Sequence, residues 1–354
     1  MSAIKGTIHL VGSVPLDSAT QVFETCAKPL GPYLGALPDG EVGDRSFWIV
    51  CQAIHVFNGH PQIELVNRPA PIDSKEQWMP KDYKDQWRFK LKPDAGPIVF
   101  DDLGYARWAA ESYATFKQLR DRGVIPKGVR FQVAMPTPLC GSQHFFSPED
   151  GKRLIDAYRA AMLKEVEKLC RAIPPNELAI QWDTTDAPGI EKEQLAGAGD
   201  AAWARWRDDM AVLGPAVPRE AALGYHICYG DFNHRHVLEP KDLSVSVRML
   251  NEAAARAGRP LDFVHMPVPI DRHDDAYFAP LRDLSLDGAR VFLGLVHFDD
   301  GFDGTWRRAE VAHKYLDDFG IATECGFGRR RPETLAELLR IHRNIAEQME
   351  VFFA

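Results

Sequence analysis

Eight short β-branched or apolar runs recur along the chain, most separated by longer amphipathic stretches. This alternation constrains the fold more than any other feature of the sequence. The runs are Thr7–Val11, Tyr33–Leu37, Gly128–Val133, Leu178–Trp182, Ala222–Ile227, Asp262–His265, Ala289–Leu295 and Gly320–Thr323. Helical spacing marks Tyr105–Arg120, Pro148–Ala172, Lys241–Ala257, Trp306–Asp318 and Pro332–Val351. In Pro148–Ala172 an apolar stripe runs through Leu154, Tyr158, Ala161, Met162, Val166 and Leu169, behind a start (Ser147-Pro148-Glu149-Asp150) that supplies an N-cap, a first-turn proline and two acids. Strands alternating with helices predict a parallel sheet, and eight is the number that closes a (β/α)8 TIM barrel. A doubly wound open sheet would want a glycine fingerprint after the first run, which Leu10-Val11-Gly12-Ser13-Val14-Pro15 does not supply. The expectation is therefore an α/β chain whose 354 residues form a single (β/α)8 barrel domain, with an insertion around residues 60–97. That insertion, His60–Pro97, carries Trp78, Tyr83, Trp87 and Arg88 and is expected over or beside the C-terminal mouth, where polar-edged aromatics suit the covering of a substrate.

Charge and cysteine usage exclude several classes. Lys and Arg number 42 against 50 Asp and Glu, a net charge of −8 with the signs well mixed, so no basic footprint points to nucleic acid. No apolar run approaches the roughly 18 residues of a membrane span. Met1–Leu10 holds a lone Lys5 and a short β-like run, unlike a secretory leader. Six cysteines scattered along the chain suit reduced thiols in a cytoplasm better than a disulfide framework.

Catalytic groups of such a barrel sit where strands end. The fifth run ends Tyr225-His226-Ile227-Cys228-Tyr229-Gly230, and a spacing of two on an extended strand puts His226 and Cys228 on one face. The eighth is followed by Glu324-Cys325-Gly326, and the strand tops of a barrel converge on one mouth. An imidazole and two thiolates there suit zinc with an open fourth position. Cys26, Cys51, Cys140 and Cys170 read as core thiols. Other strand ends are acidic: Asp39-Gly40-Glu41 before Arg45, Gln181-Trp182-Asp183, and His297-Phe298-Asp299. Buried carboxylates are costly unless paired or used. Helix capping would explain any one of Asp39, Asp183 or Asp299, whereas their gathering at one face implies a polar pocket. Glu41 is expected to face it, with Arg45 paired to the acids or to a substrate carboxylate.

These motifs, with Val11-Gly12-Ser13-Val14-Pro15 and Phe131-Gln132-Val133-Ala134-Met135-Pro136, resemble in order and over nearly the whole chain the C-terminal catalytic barrel of cobalamin-independent methionine synthase. Its larger superfamily includes uroporphyrinogen decarboxylase and zinc-dependent alkyltransferases. The resemblance implies that His226, Cys228 and Cys325 are metal ligands. It implies that Ser13, Glu41 and Asp183 hold the far end of a thiol substrate, and that His297 and Asp299 handle protons. The family's fourth ligand, a sixth-strand Glu, is absent here, and His265 stands on that strand as a candidate replacement. The implied activity is a zinc-dependent methyl or alkyl transfer to a small-molecule thiol from an alkyl donor, a folate being one candidate. The alternatives are a metal-dependent lyase or decarboxylase of the same superfamily, with zinc or Arg45 polarising a carboxylate or carbonyl, and a non-catalytic zinc- or ligand-binding barrel.

Overall fold

The computed structural model describes residues 5–69, 85–197, 199–231 and 235–353. Seven strands form one parallel sheet: β1 (Ala36–Pro38), β4 (Arg130–Pro136), β5 (Leu178–Thr184), β6 (Ala222–Ile227), β7 (Phe263–Pro267), β8 (Arg290–Val296) and β9 (Gly320–Thr323), side by side in that order. β2 (Ile63–Asn67) and β3 (Arg88–Leu91) pair separately as an antiparallel hairpin. Helices Tyr105–Asp121, Pro148–Ala172, Gly199–Ala216, Ser244–Arg256, Gly301–His313 and Leu335–Phe352 pack outside the main sheet. The start of Pro148–Ala172 is as its sequence predicts, with the Ser147 hydroxyl accepting from the Asp150 N–H.

The sheet is an open seven-stranded half-barrel, and this corrects the expectation of a closed (β/α)8 TIM barrel. The first run, Thr7–Val11, forms no ladder. It crosses between β1 and β9 with isolated bridges only, from Ile8 to Leu34 and to Ile321. Beyond His9 its carbonyls turn to side chains: Gln132 Nε2 donates to the carbonyls of Leu10 (2.9 Å) and Val11 (3.1 Å), and Gln181 Nε2 to Val11 (2.6 Å). Two buried glutamines of β4 and β5 thus satisfy backbone acceptors that a strand would use in its ladder. An apolar β-like run does not reveal that competition.

Period two along each strand sorts the side chains. The outer face carries Ile180, Trp182, Leu223, Tyr225, Val264 and Met266, all fully buried under the helices. The inner face starts with a small, separate cluster of Ala36, Ala179, Ala222, Phe263 and Phe292. Two and four residues further along the same face come Gln181 and Asp183 on β5, Gly224 and His226 on β6, and His265 on β7. A packed apolar floor therefore lies beneath polar strand ends. Gly224 makes room for that floor, because a Cβ there would lie 2.3 Å from the Phe263 ring. Gly224→Ala is expected to cost about 1–3 kcal/mol through overpacking, read as a lower midpoint in chemical denaturation. An unchanged midpoint would contradict this packing.

The hairpin of β2 and β3 is the described part of the insertion. Trp87 stacks on Phe89 with ring centroids 5.9 Å apart, and Arg68 lies over Trp87. Trp78 and Tyr83 fall outside the described residues. All six cysteines are free, and no helix among the described residues is long and apolar enough to cross a membrane.

Candidate metal centre

β6 carries His226 up the inner face, and the chain continues to Cys228, whose N–H donates to the Thr184 carbonyl at 2.8 Å. Cys325 arrives on the loop after β9, fixed by the Thr323 hydroxyl donating to the Cys325 carbonyl at 2.7 Å. The ligand-capable atoms of His226, Cys228 and Cys325 all lie within 4.8 Å of one another, and the two sulfurs are 3.9 Å apart. His226 Nε2 is buried without a hydrogen-bond partner, while its Nδ1 sits 2.7 Å from Nδ1 of His265. The Gly230 N–H points at the Cys228 sulfur at 3.3 Å. Neighbouring Cys228, and then burial, push the Cys325 thiol well above its ordinary range. A Cys325 thiol that resists ionising, with a second sulfur and a buried imidazole nitrogen beside it, fits a soft divalent cation, which would supply the missing positive charge. His265 is spent on His226 and is not part of the three-residue cluster.

The cluster opens on a cavity of about 350 Å³. Its wall includes Ser13, Glu41 and Asp183, together with Phe47, Trp48, Gln86, Arg88, His144, Lys192, Asp231 and Arg329. Gln86 and Arg88 come from the insertion, so the hairpin does border the mouth. Ser13 also ties down the loop bearing Cys325. Its hydroxyl accepts from the Gly328 N–H (3.2 Å) and its carbonyl from the Phe327 N–H (2.7 Å).

Glu41 reaches the cavity through unusual backbone. Gly40, Glu41 and Gly43 take φ of 82°, 52° and 63°, and Phe47 and Trp48 take 70° and 55°. Left-handed conformations at non-glycine residues cost on the order of 1–3 kcal/mol each and cluster at functional sites. Here they turn one carboxyl and two aromatic rings onto the cavity wall. Arg45 is buried with Asp39 at 3.1 Å, stands 4.0 Å from Glu41, and donates to the Ala134 carbonyl. The guanidinium is thus used within the protein, holding the acids rather than lining the cavity.

Burial, with Asp183 and Asp39 adding to it and Arg45 opposing it, pushes Glu41 up to about 8. Burial likewise raises Asp183 to about 6, against the pull of His226 and the Gln181 amide 2.8 Å away. At neutral pH Glu41 keeps its proton and offers an O–H donor. The unfolded carboxyl titrates near its ordinary 4.5, so between 4.5 and 8 the native state binds the extra proton. The stability this lends is full below the lower value and is lost as pH rises through the upper. Glu41→Gln, a permanently neutral mimic, is therefore expected to gain on wild type as pH rises from about 5 to about 9 in urea unfolding of metal-free protein. Parallel pH profiles would contradict a buried, protonated Glu41.

His297 and Asp299 stand outside the cavity wall formed by these residues. His297 is buried, with Nε2 2.9 Å from the Val268 carbonyl and Nδ1 3.6 Å from Glu324, and burial lowers its pKa. Asp299 is exposed. Glu324, beside Cys325, also reaches His236 at 3.3 Å. Burial opposes charge on His236, yet Glu324 and Glu239 raise it to about 9. Arg329, Asp231, His144 and the insertion's Gln86 were not singled out by sequence. Arg329 and Asp231 lie a few residues past Cys325 and Cys228, so their proximity to the motif was the available signal. Nothing in the sequence marked His144.

No family model matches the sequence, and neither does any curated protein. Solved structures do match. The chain superposes on a protein from Listeria monocytogenes provisionally identified as a vitamin-B12-independent methionine synthase, with a TM-score of 0.57 and 12% identity over 98% of both chains. It superposes equally on a B12-independent methionine synthase from Shewanella sp. W3-18-1 solved with selenomethionine, with a TM-score of 0.57 and 14% identity over 98% of this chain and 99% of that one. What is shared is the fold. The resemblance seen in the sequence motifs thus extends to the backbone over the full length, while the low identity leaves the chemistry to be argued from this chain's own residues.

Proposed function

We propose that this protein is a zinc-dependent alkyltransferase with a thiol acceptor. The observation that carries the reading is the convergence of His226, Cys228 and Cys325 on the wall of a cavity that also holds several polar side chains. In this reading His226 Nε2 and the two sulfurs hold the metal, leaving room for substrate as a catalytic site requires. A zinc ion held there would supply a lowered pKa to an entering thiol while leaving its sulfur soft and nucleophilic.

The remaining work falls to the protein. Glu41 holds a proton on its carboxyl and donates it, as a hydrogen bond or outright, to the polar end of the acceptor or to a departing group. Asp183, largely ionised at neutral pH, accepts hydrogen bonds from the acceptor's polar end. Arg88, Lys192 and Arg329 offer cations to an anionic part of either substrate. Phe47 and Trp48 wall off water from the reacting sulfur. The expected proton-handling role of His297 and Asp299 acts, in this reading, only from behind the wall. The lyase reading that used Arg45 as its electrophile is weakened because Asp39 and the Ala134 carbonyl already take up that guanidinium.

The test is a screen of small thiols against activated alkyl donors, following thiol consumption by zinc-loaded and zinc-free protein. Zinc-dependent consumption with an alkylated thiol as product supports the proposal. Turnover of a carboxylate or carbonyl substrate without loss of thiol would replace it by the lyase reading. Zinc bound without turnover in the screen would favour a binding protein.

A further inference from the structure

His226 and His265 are register partners on adjacent parallel strands. Both point inward, both are buried, and their Nδ1 atoms are 2.7 Å apart. A contact of that length between two imidazole nitrogens requires one to carry the hydrogen and the other to present a lone pair. The two choices have opposite consequences at the other end of the His226 ring. With Nδ1 as acceptor, a neutral His226 carries its hydrogen on Nε2, aimed at the two cysteines, and cannot ligate. With Nδ1 as donor, Nε2 is free to present its lone pair where the two sulfurs converge. The placement of the two sulfurs selects the second arrangement: His226 can join Cys228 and Cys325 around one metal through Nε2 only if its hydrogen sits on Nδ1, and the nitrogen 2.7 Å away on His265 then accepts it.

We infer that His265 is a positioning residue, which accepts a hydrogen bond from His226 Nδ1–H and thereby fixes the tautomer and orientation in which His226 Nε2 binds the metal. The inference rests on the metal-centre reading proposed above and deepens it. The residue at the place of an expected fourth ligand is an outer partner of the first, so the protein supplies three ligands and the remaining position faces the cavity. His265 is itself seated in the packed interior. Its ring lies 5.8 Å from that of His9, and His9 Nε2 meets Gln181 Oε1 at 2.7 Å. The orienting contact is therefore anchored to the polar layer above the floor and cannot easily swing away. Outer-shell partners of this kind are worth roughly ten- to a hundredfold in metal affinity.

The experiment is zinc affinity by chelator competition in the full chain, for wild type, His265→Gln, His265→Phe and Cys325→Ser. It is joined by long-range proton–nitrogen NMR of the histidine rings in the zinc-loaded wild type. Expected are a ten- to hundredfold loss of affinity in His265→Phe, a smaller loss in His265→Gln, whose amide oxygen still accepts, and an Nδ1–H on His226 opposite a bare Nδ1 on His265. If His265→Phe fails to fold, the Gln variant and the wild-type spectrum decide. Wild-type affinity in the His265 variants, or a bare Nδ1 on His226, overturns the inference while the metal centre stands. Failure of wild type to bind zinc, or full binding by Cys325→Ser, overturns the metal-centre reading itself.

Discussion

Replacing Cys325 by Ser is expected to remove most of the bound zinc and the thiol-alkylating activity together, leaving the fold in place. A hydroxyl is a poor ligand for a soft cation and does not ionise near neutral pH, so the centre loses one of its two anionic donors. Second-shell changes already cost roughly ten- to a hundredfold in affinity, and loss of a ligand is expected to exceed that. The fold should survive because Cys325 sits on a loop at the mouth, only partly buried, while Phe263, Phe292 and the surrounding core lie deeper. Metal analysis, activity and circular dichroism on one preparation check this. Retained zinc with lost activity would move Cys325 from ligand to catalytic group, and retention of both would remove it from the site.

The largest effect on stability is expected from Arg45→Met. Asp39 and Arg45 form an ion pair 3.1 Å apart with side chains only 4% and 5% exposed. Taking away the guanidinium leaves the Asp39 carboxylate buried with the Glu41 N–H as its partner at 3.0 Å, and removes the cation beside Glu41. Breaking such a pair from one side costs about 3–5 kcal/mol, because a buried charge is left uncompensated. The double variant Asp39→Asn, Arg45→Met should recover a substantial part of that loss, since no buried charge then lacks its partner. Denaturant unfolding of metal-free protein measures both. A single-variant cost under about 1 kcal/mol would mean that solvent reaches the pair.

The strands were legible from their β-branched and apolar runs, and the placement of His226 beside Cys228 from the period of two along a strand. That period places Gly224, His226 and Cys228 on one face, and it also places Gln181 and Asp183 on the inner face of β5. The ends of β6 and β9 then meet because a curved parallel sheet brings successive strand ends together. That the sheet stays open was not legible. Thr7–Val11 has the composition of a strand, and only the three-dimensional reach of Gln132 and Gln181 shows that its carbonyls are already taken. Position along the chain does not reveal that the turn after β8 buries His297 against Val268 and exposes Asp299. His265 was visible as a candidate ligand, but not the 2.7 Å contact that turns its nitrogen toward His226. The left-handed backbone at Glu41, Phe47 and Trp48 leaves no trace in composition either, since none of these residues favours it.

Zinc content of protein purified under reducing conditions, combined with X-ray absorption at the zinc edge, tests the central claim most directly. The account predicts one zinc per chain with two sulfur neighbours at about 2.3 Å, one histidine nitrogen at about 2.0–2.1 Å, and a light-atom neighbour that a thiol substrate replaces with a third sulfur. A protein that takes up no stoichiometric zinc, or a zinc shell without sulfur, would contradict it.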